Sequence, residues 1–151
     1  YRTSSVAFGD VDSDGDLDVY SVMGGAYVGD PAYNTLFENP GFDNHWLCIQ
    51  LVGTESNRSG IGARIHAVIT ENGKTRSVYR HVNSGGSFGA NPLRQTIGMG
   101  KATKIDRLEI HWPRTGKTQT FENVTPDRFV RITESSNKIQ TVPLKQTKIG
   151  G

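Results

Sequence analysis

The sequence predicts an all-β protein, and three observations indicate this class. Polar and apolar residues alternate with a period of two in Arg107–Trp112, so that Leu108, Ile110 and Trp112 would share one face of a strand. Turn-forming residues recur along the chain, which has 18 glycines among its 151 residues. No segment shows a sustained helical period. We therefore expect short strands joined by turns and loops.

Seven strands are predicted after residue 40, and together they would form an antiparallel β-sandwich or barrel. Asn72-Gly73 predicts a hairpin turn, because both residue types tolerate positive φ, and Pro113–Lys117 predicts a longer turn. Trp46 and Trp112 lie in apolar surroundings, which favours core packing over sugar stacking. The predicted strands are Trp46–Val52, Ala63–Thr70, Thr75–Val82, Gln95–Gly98, Arg107–Trp112, Thr118–Phe121 and Phe129–Thr133.

The run Asn39-Pro40-Gly41 divides the chain, since proline and glycine interrupt regular structure. We assign residues 1–39 to an N-terminal half-repeat with one strand on each side of an acidic loop. Residues 40–134 form the sandwich. Residues 135–151 form a basic tail, whose three lysines and lack of acidic residues favour a solvated end.

The acidic loop from Asp10 to Asp18 carries five of the fifteen acidic residues of the chain. Carboxylates this close repel one another unless a cation lies between them. Gly15 permits a sharp turn with positive φ, and oxygen ligands on a flexible loop suit Ca²⁺. An acidic turn that binds nothing is the alternative. The predicted calcium ligands are the side chains of Asp10, Asp12, Asp14 and Asp18 and the main-chain oxygen of Asp16.

The acidic loop differs from an EF-hand in its second half. An EF-hand requires a bidentate glutamate at its twelfth position, which is Ser21 here. Val19–Met23 predicts a strand rather than an exiting helix. We therefore predict a calcium site between two strands. Because such a site is most useful where calcium is plentiful, we expect an extracellular or cell-surface location, or the periplasm in a bacterium.

Composition excludes two classes of partner. A formal net charge of +2 without a concentrated basic and aromatic patch argues against nucleic-acid binding. No apolar run approaches the roughly 20 residues that span a bilayer.

The single cysteine, Cys48, lies in an apolar run and is predicted to pack as a small hydrophobe. The chain begins at Tyr1 rather than Met, and we expect it to be the C-terminal part of a longer protein.

No enzyme activity is predicted. Gly85–Gly89 fits the G-x-S-x-G pattern around Ser87, and Asp106 and His111 follow in the order of a hydrolase triad. That mechanism needs a helix after the serine, and Ala90–Pro92 does not predict one. Asp106 and His111 are five residues apart on one predicted strand, so their side chains would point to opposite faces. The four histidines also lack the spacing of zinc ligands.

The segment around Gly60-Ile61-Gly62 has two interpretations. It lacks the third glycine and the following helix of a phosphate-binding loop, so a tight turn is favoured. Arg58 and Arg64 flank this turn. They either form structural pairs or bind an acidic ligand.

Two stretches resemble known families. Phe8–Asp18 resembles the FG-GAP (VCBS-type) repeat, and the later stretch is similar to the ASPIC/UnbV domain of the cartilage acidic protein-like family. The resemblance covers about residues 5 to 134. The motifs that carry the ASPIC/UnbV resemblance are Asn44–Leu47, Ser56–Arg64, Ser84–Phe88, Ile97–Gly100, Leu108–Pro113 and Asn123-Val124.

The resemblance implies a partial β-propeller-type repeat followed by an ASPIC/UnbV-like sandwich. FG-GAP repeats form propeller blades in which aspartates hold Ca²⁺, and relatives combine several repeats with this domain in secreted or surface proteins. It implies a non-enzymatic, calcium-stabilised module for binding, adhesion or assembly, with a protein or glycan ligand. No general catalytic mechanism comes with the family.

Three alternatives stay open. The chain could be a carbohydrate-binding module that uses exposed aromatics such as Tyr27, Tyr33 or Phe88. It could be an accessory domain of a biosynthetic enzyme, as UnbV-type relatives imply. A single repeat cannot bury both of its faces, so the half-repeat could also self-assemble by pairing with a neighbouring subunit.

Overall fold

A computed structural model describes residues 3–25, 29, 31–86 and 90–147. The chain divides into two compact units, Tyr1–Phe42 with Leu144–Gly151, and Asp43–Pro143. All regular elements of the described residues are strands, which confirms the all-β prediction. Within the same residues, no helix is long and apolar enough to cross a bilayer.

The first unit contains a three-stranded antiparallel sheet with the order β1-β2-β3. Its strands are β1 (Thr3–Gly9), β2 (Asp18–Met23) and β3 (Thr35–Phe37). The acidic loop joins β1 to β2, so the prediction of one strand on each side of it is confirmed. β3 was not among the predicted strands.

The second unit is a sandwich of two four-stranded sheets, which confirms the predicted architecture. The first sheet has the order β11-β10-β4-β7 and the second has the order β6-β5-β8-β9. The strands are β4 (His45–Val52), β5 (Arg64–Glu71), β6 (Lys74–His81), β7 (Gln95–Gly100), β8 (Ile105–His111), β9 (Thr118–Val124), β10 (Arg128–Thr133) and β11 (Ile139–Thr141).

Alternation along the strands builds the core between the two sheets. In β5, Ile65, Ala67 and Ile69 are fully buried, whereas the residues between them are partly or fully exposed. In β8, Leu108 and Ile110 follow the same period. Burying one large aliphatic side chain contributes about 1.5–3 kcal/mol, so this periodic set stabilises the sandwich.

One feature of the first sandwich sheet was not predicted. β4 and β10 are parallel neighbours, with Leu47 opposite Arg128 and Val52 opposite Thr133. Parallel neighbours need a long crossover connection, and here the chain between them supplies β5 to β9. Strand periodicity alone carries no information about this direction.

Both predicted hairpin turns are present. Asn72 and Gly73 have φ values of 49° and 74°, as their turn between β5 and β6 requires. Between β8 and β9, Gly116 N–H donates to the Trp112 carbonyl at 3.0 Å. β11, by contrast, lies in the segment interpreted as a solvated tail, and it pairs with β10.

Candidate metal centre

Asp18 closes the acidic loop between β1 and β2. It is the first residue of β2, pairs with Gly9 and is 1% exposed. Its Oδ2 accepts a hydrogen bond from Val11 N–H at 2.9 Å, and its Oδ1 accepts one from Asn39 N–H at 3.0 Å. Both carboxylate oxygens are therefore held by backbone amides, which fixes the loop against the segment that follows β3.

Two local turns shape the middle of the loop. Asp12 Oδ1 accepts from Asp14 N–H at 3.2 Å, and Asp14 Oδ1 accepts from Asp16 N–H at 3.1 Å. Ser13 and Gly15 have φ values of 64° and 102°. These bonds join residues two positions apart, so aspartate spacing alone is enough to specify them.

Three of the five predicted ligands converge. Asp10, Asp12 and Asp14 each place one carboxylate oxygen within 4.8 Å of the other two. Among the described residues, this group does not include the carboxylates of Asp16 and Asp18. Asp16 was predicted to use its main-chain oxygen, and each Asp18 oxygen keeps a second lone pair. The metal-ligand role of all five stays a prediction.

Asp10 and Asp16 lie in an environment that disfavours ionised carboxylates. Oδ1 of each is buried and has no hydrogen-bond partner among the described residues. Burial raises the pKa of Asp10, although amide hydrogen bonds from Gly15 and Ser13 act against it. Burial, followed by repulsion from Asp14 and the other carboxylates, raises the pKa of Asp16 to about 6. The loop thus provides oxygen donors without the positive charge that would satisfy them.

Asn39 and Gly41 support the loop from outside, a role that was not predicted for them. Besides the bond from its amide to Asp18, Asn39 accepts from Gly41 N–H through Oδ1 at 3.1 Å. Gly41 has a φ of 68°, and a Cβ there would lie 2.8 Å from Asp16 Oδ2. The available signal was asparagine two residues before glycine, which favours an Asx turn.

Thr147 also contacts the loop. Its N–H donates to the Asp12 carbonyl at 2.8 Å, within the first unit. The two residues are 135 positions apart in the chain, so no local pattern could indicate the contact.

The residues considered for a hydrolase triad are only partly described. Ser87 lies outside the described residues. Asp106 and His111 both lie on β8. Asp106 Oδ1 is 3.5 Å from Lys104 Nζ, and His111 Nδ1 is 3.4 Å from Thr118 Oγ1, so each has its own neighbour. The absence of catalysis stays a prediction.

A hydrogen-bond relay on the second sandwich sheet was not predicted. His66 Nδ1 is 2.7 Å from Glu109 Oε2, and His66 Nε2 is 2.9 Å from Ser77 Oγ. Tyr79 stacks on His66 with ring centroids 4.5 Å apart and an angle of 3° between the rings. The relay depends on the register that places Glu109 and Tyr79 beside His66. Sequence spacing does not provide that register.

The aromatic residues considered as stacking platforms differ in exposure. Trp112 is 1% exposed and donates from Nε1 to Gln119 Oε1 at 2.9 Å, so its predicted place in the core is confirmed. Trp46 is half-buried. Tyr33 is 97% exposed. Tyr27 and Phe88 lie outside the described residues.

Comparison with known proteins identifies the second unit. The sequence profile of the ASPIC and UnbV family matches residues 53–139, which is more than half of the chain. None of the curated proteins compared with the chain matches it. The matched segment runs from the loop after β4 to the start of β11 and thus contains most of the sandwich. The chain belongs to the ASPIC and UnbV family.

Proposed function

We propose that this chain is a non-enzymatic extracellular module whose N-terminal loop is an FG-GAP-type calcium site. The observation that carries the proposal is the convergence of Asp10, Asp12 and Asp14, with carboxylate oxygens within 4.8 Å of one another. The partnerless buried oxygens of Asp10 and Asp16 support it. Membership of the ASPIC and UnbV family is consistent with a binding, adhesion or assembly role.

The donor set fits Ca²⁺ better than a transition metal. It consists only of oxygen atoms, and Ca²⁺ accepts six to eight oxygens in flexible geometry. Asp10, Asp12 and Asp14 would hold the ion through their side chains. Asp16 would contribute its carbonyl, and Asp18 would complete the set from its position at the start of β2. The bound ion would neutralise the repulsion between carboxylates and so hold the ends of β1 and β2 together.

Thermal unfolding with and without calcium tests this proposal. We expect saturating Ca²⁺ to raise the Tm of the full chain by roughly 5–10 °C, and a chelator to reverse the rise. Asp12→Asn should remove most of the gain, because asparagine can still accept the Asp14 amide but lacks the charge. Elemental analysis of the purified chain gives the metal content independently.

Asp43→Asn is the matched control. Asp43 is exposed, has a positive φ of 55° that asparagine tolerates, and lies outside the acidic loop. Its variant should keep the full calcium-dependent rise in Tm. Identical melting curves with Ca²⁺ and with chelator would refute the calcium site.

Self-assembly through the first unit is a second candidate role. Phe8, Val19 and Phe37 form one cross-strand row, and Phe8 and Phe37 are 66% and 56% exposed. Exposed apolar rows on a small sheet favour association with another chain. Light scattering on the calcium-loaded samples should show a mass above that of the monomer. A monomer at all concentrations would argue for a protein or glycan ligand instead.

The relay of Ser77, His66 and Glu109 is the arrangement that would favour an enzyme. Its hydrogen bonds resemble those of an activated serine, but the three side chains come from regular strands whose amides serve the sheet ladder. Acyl transfer also needs free donors for the developing oxyanion. We therefore expect no labelling of Ser77 by a serine-reactive organophosphonate. Labelling that disappears in Ser77→Ala would refute the non-enzymatic assignment.

A further inference from the structure

A cavity with both apolar and polar lining groups lies in the sandwich at the first sheet and the loop that follows β4. Its volume is about 580 Å³, which is within the range of small-molecule sites. All of its described lining residues belong to the second unit. The lining residues from the strands are Gln50, Leu51, Val52, Arg131, Thr133 and Gln140, and those from the loops are Thr54, Arg58, Ser59 and Leu93.

The loop that forms one wall of the cavity is held by the buried carboxylate of Glu134. Glu134 Oε2 accepts from the amides of Thr54, Glu55 and Ser56 at 2.9, 2.8 and 2.7 Å. Glu134 Oε1 accepts from Ser56 Oγ at 2.9 Å. Glu134 is 3% exposed and is absent from the cavity lining. Its negative charge therefore stabilises the loop and is not part of the cavity lining.

The same loop is closed around Arg58 by bonds within the loop. Gly53 N–H donates to the Arg58 carbonyl at 3.2 Å. Asn57 accepts from Ile61 N–H through Oδ1 at 2.9 Å and donates to the Ile61 carbonyl at 2.6 Å. Arg58 thus extends from a constrained backbone, which lowers the entropic cost of binding a ligand there.

The charged side chains among the described lining residues are all positive. Arg58 and Arg131 contribute two guanidinium groups, and none of the described lining residues carries a carboxylate. Arg131 Nη2 donates to Gln50 Oε1 at 3.3 Å, which orients the guanidinium group and leaves its other donors for a ligand. Guanidinium groups match carboxylates through paired hydrogen bonds.

The remaining lining groups suit hydroxyls. The amides of Gln50 and Gln140 and the hydroxyls of Thr54, Ser59 and Thr133 each both donate and accept hydrogen bonds, as a sugar hydroxyl does. Leu93 and Val52 add an apolar surface on which the C–H face of a sugar ring could pack. We propose that this cavity binds a sugar unit that carries a carboxylate, with Arg131 and Arg58 holding the carboxylate.

This inference deepens the proposed binding role and depends on it, but it does not depend on calcium. The test is a titration of the isotope-labelled full chain with sodium glucuronate, followed by amide shifts in NMR spectra. With up to ~20 mM glucuronate, a millimolar Kd would give a saturable shift. We expect it at Thr54, Ser59 and Thr133, both with Ca²⁺ and with chelator.

Two arginine variants and a matched control make the titration specific. Arg131→Gln and Arg58→Gln should each weaken glucuronate binding about tenfold or more. Arg64→Gln should bind as the wild type does, because Arg64 is exposed on β5 in the other sheet. Spectra of each variant without ligand show whether the fold is kept.

Two further probes, the neutral sugar glucose and the simple anion sulfate, decide the ligand class. Glucose should bind at least tenfold more weakly than glucuronate, and sodium sulfate should not reproduce the shifts at Thr133. Equal binding of sulfate and glucuronate would overturn the sugar assignment. The absence of any lining shift with glucuronate would overturn the site itself. Neither result would affect the melting experiment on the acidic loop, so the two proposals fail separately.

Discussion

At the residue scale, Glu134 shows how a buried charge is tolerated. Burial raises the pKa of its carboxyl, but hydrogen bonds from Ser56, Thr54 and Glu55 more than offset this effect. The result is a pKa of about 2, below the ordinary value of 4.5. Each donor faces an ionised acceptor, so the charge of Glu134 stabilises the loop after β4.

The pKa of Glu134 predicts an acid-dependent loss of stability. Because the folded pKa is depressed, the contribution is complete above about pH 4.5 and is lost as the pH falls towards 2. Glu134→Gln should lower the free energy of unfolding by roughly 1–3 kcal/mol at neutral pH. The side-chain NH₂ group of glutamine would face N–H or O–H donors that now contact a carboxylate oxygen. Urea unfolding at several pH values measures both effects.

The unfolding free energies of the wild type and Glu134→Gln should converge in acid. The difference in unfolding free energy between wild type and Glu134→Gln should narrow below about pH 4.5. Below that pH the unfolded wild type binds a proton at Glu134, whereas the folded state keeps the charge until about pH 2. Glu55→Gln is the control, because Glu55 is exposed and contributes only its backbone amide to Glu134. A difference that stayed constant down to pH 2 would contradict the assigned role.

At the element scale, the two sheet edges β6 and β7 are protected by arginines. Arg80 Nε donates to the Thr96 carbonyl at 3.0 Å, and Arg76 Nη2 donates to the Gly98 carbonyl at 3.3 Å. β6 and β7 are edge strands of different sheets. Unpaired carbonyls on an edge strand can pair with another chain. These side chains therefore connect the two sheets and block one open edge.

Removal of one edge arginine should be measurable. Arg80→Met keeps the long stem but removes the guanidinium group, and it should lower the free energy of unfolding by about 1 kcal/mol. It should also increase aggregation at high concentration, because the Thr96 carbonyl becomes available. Urea unfolding and size-exclusion chromatography provide the readouts. Arg64→Met, on the exposed face of β5, should change stability by less than about 0.5 kcal/mol, and an equal loss in both variants would refute the edge role.

The acidic loop is an element that the sequence predicts well. Asp12, Asp14 and Asp16 form turns with neighbours two residues away, so their conformation is encoded locally. The contacts of Asp18 with Asn39 and of Asp12 with Thr147 join distant segments. The loop is therefore predictable from the sequence, whereas the residues that support it are not.

At the scale of the whole molecule, the chain combines a three-stranded sheet with an eight-stranded sandwich in two compact units. In the sandwich, a buried carboxylate holds the loop beside a cationic cavity, and arginines close an edge. In the other unit, the carboxylates of Asp10, Asp12 and Asp14 converge in the acidic loop. Each unit thus has its own cluster of charged side chains, and the calcium and ligand proposals are therefore tested separately.

By itself the sequence determined the all-β class, the positions of most strands, the two hairpin turns and the acidic loop. All of these follow from periodicity, turn residues and local spacing, which act over a few residues. Only the tertiary structure decided the parallel pairing of β4 with β10, the added strand β11, the Ser77–His66–Glu109 relay and the cavity whose lining includes Arg58 and Arg131. Those features depend on register and on contacts between distant segments, which local patterns do not specify.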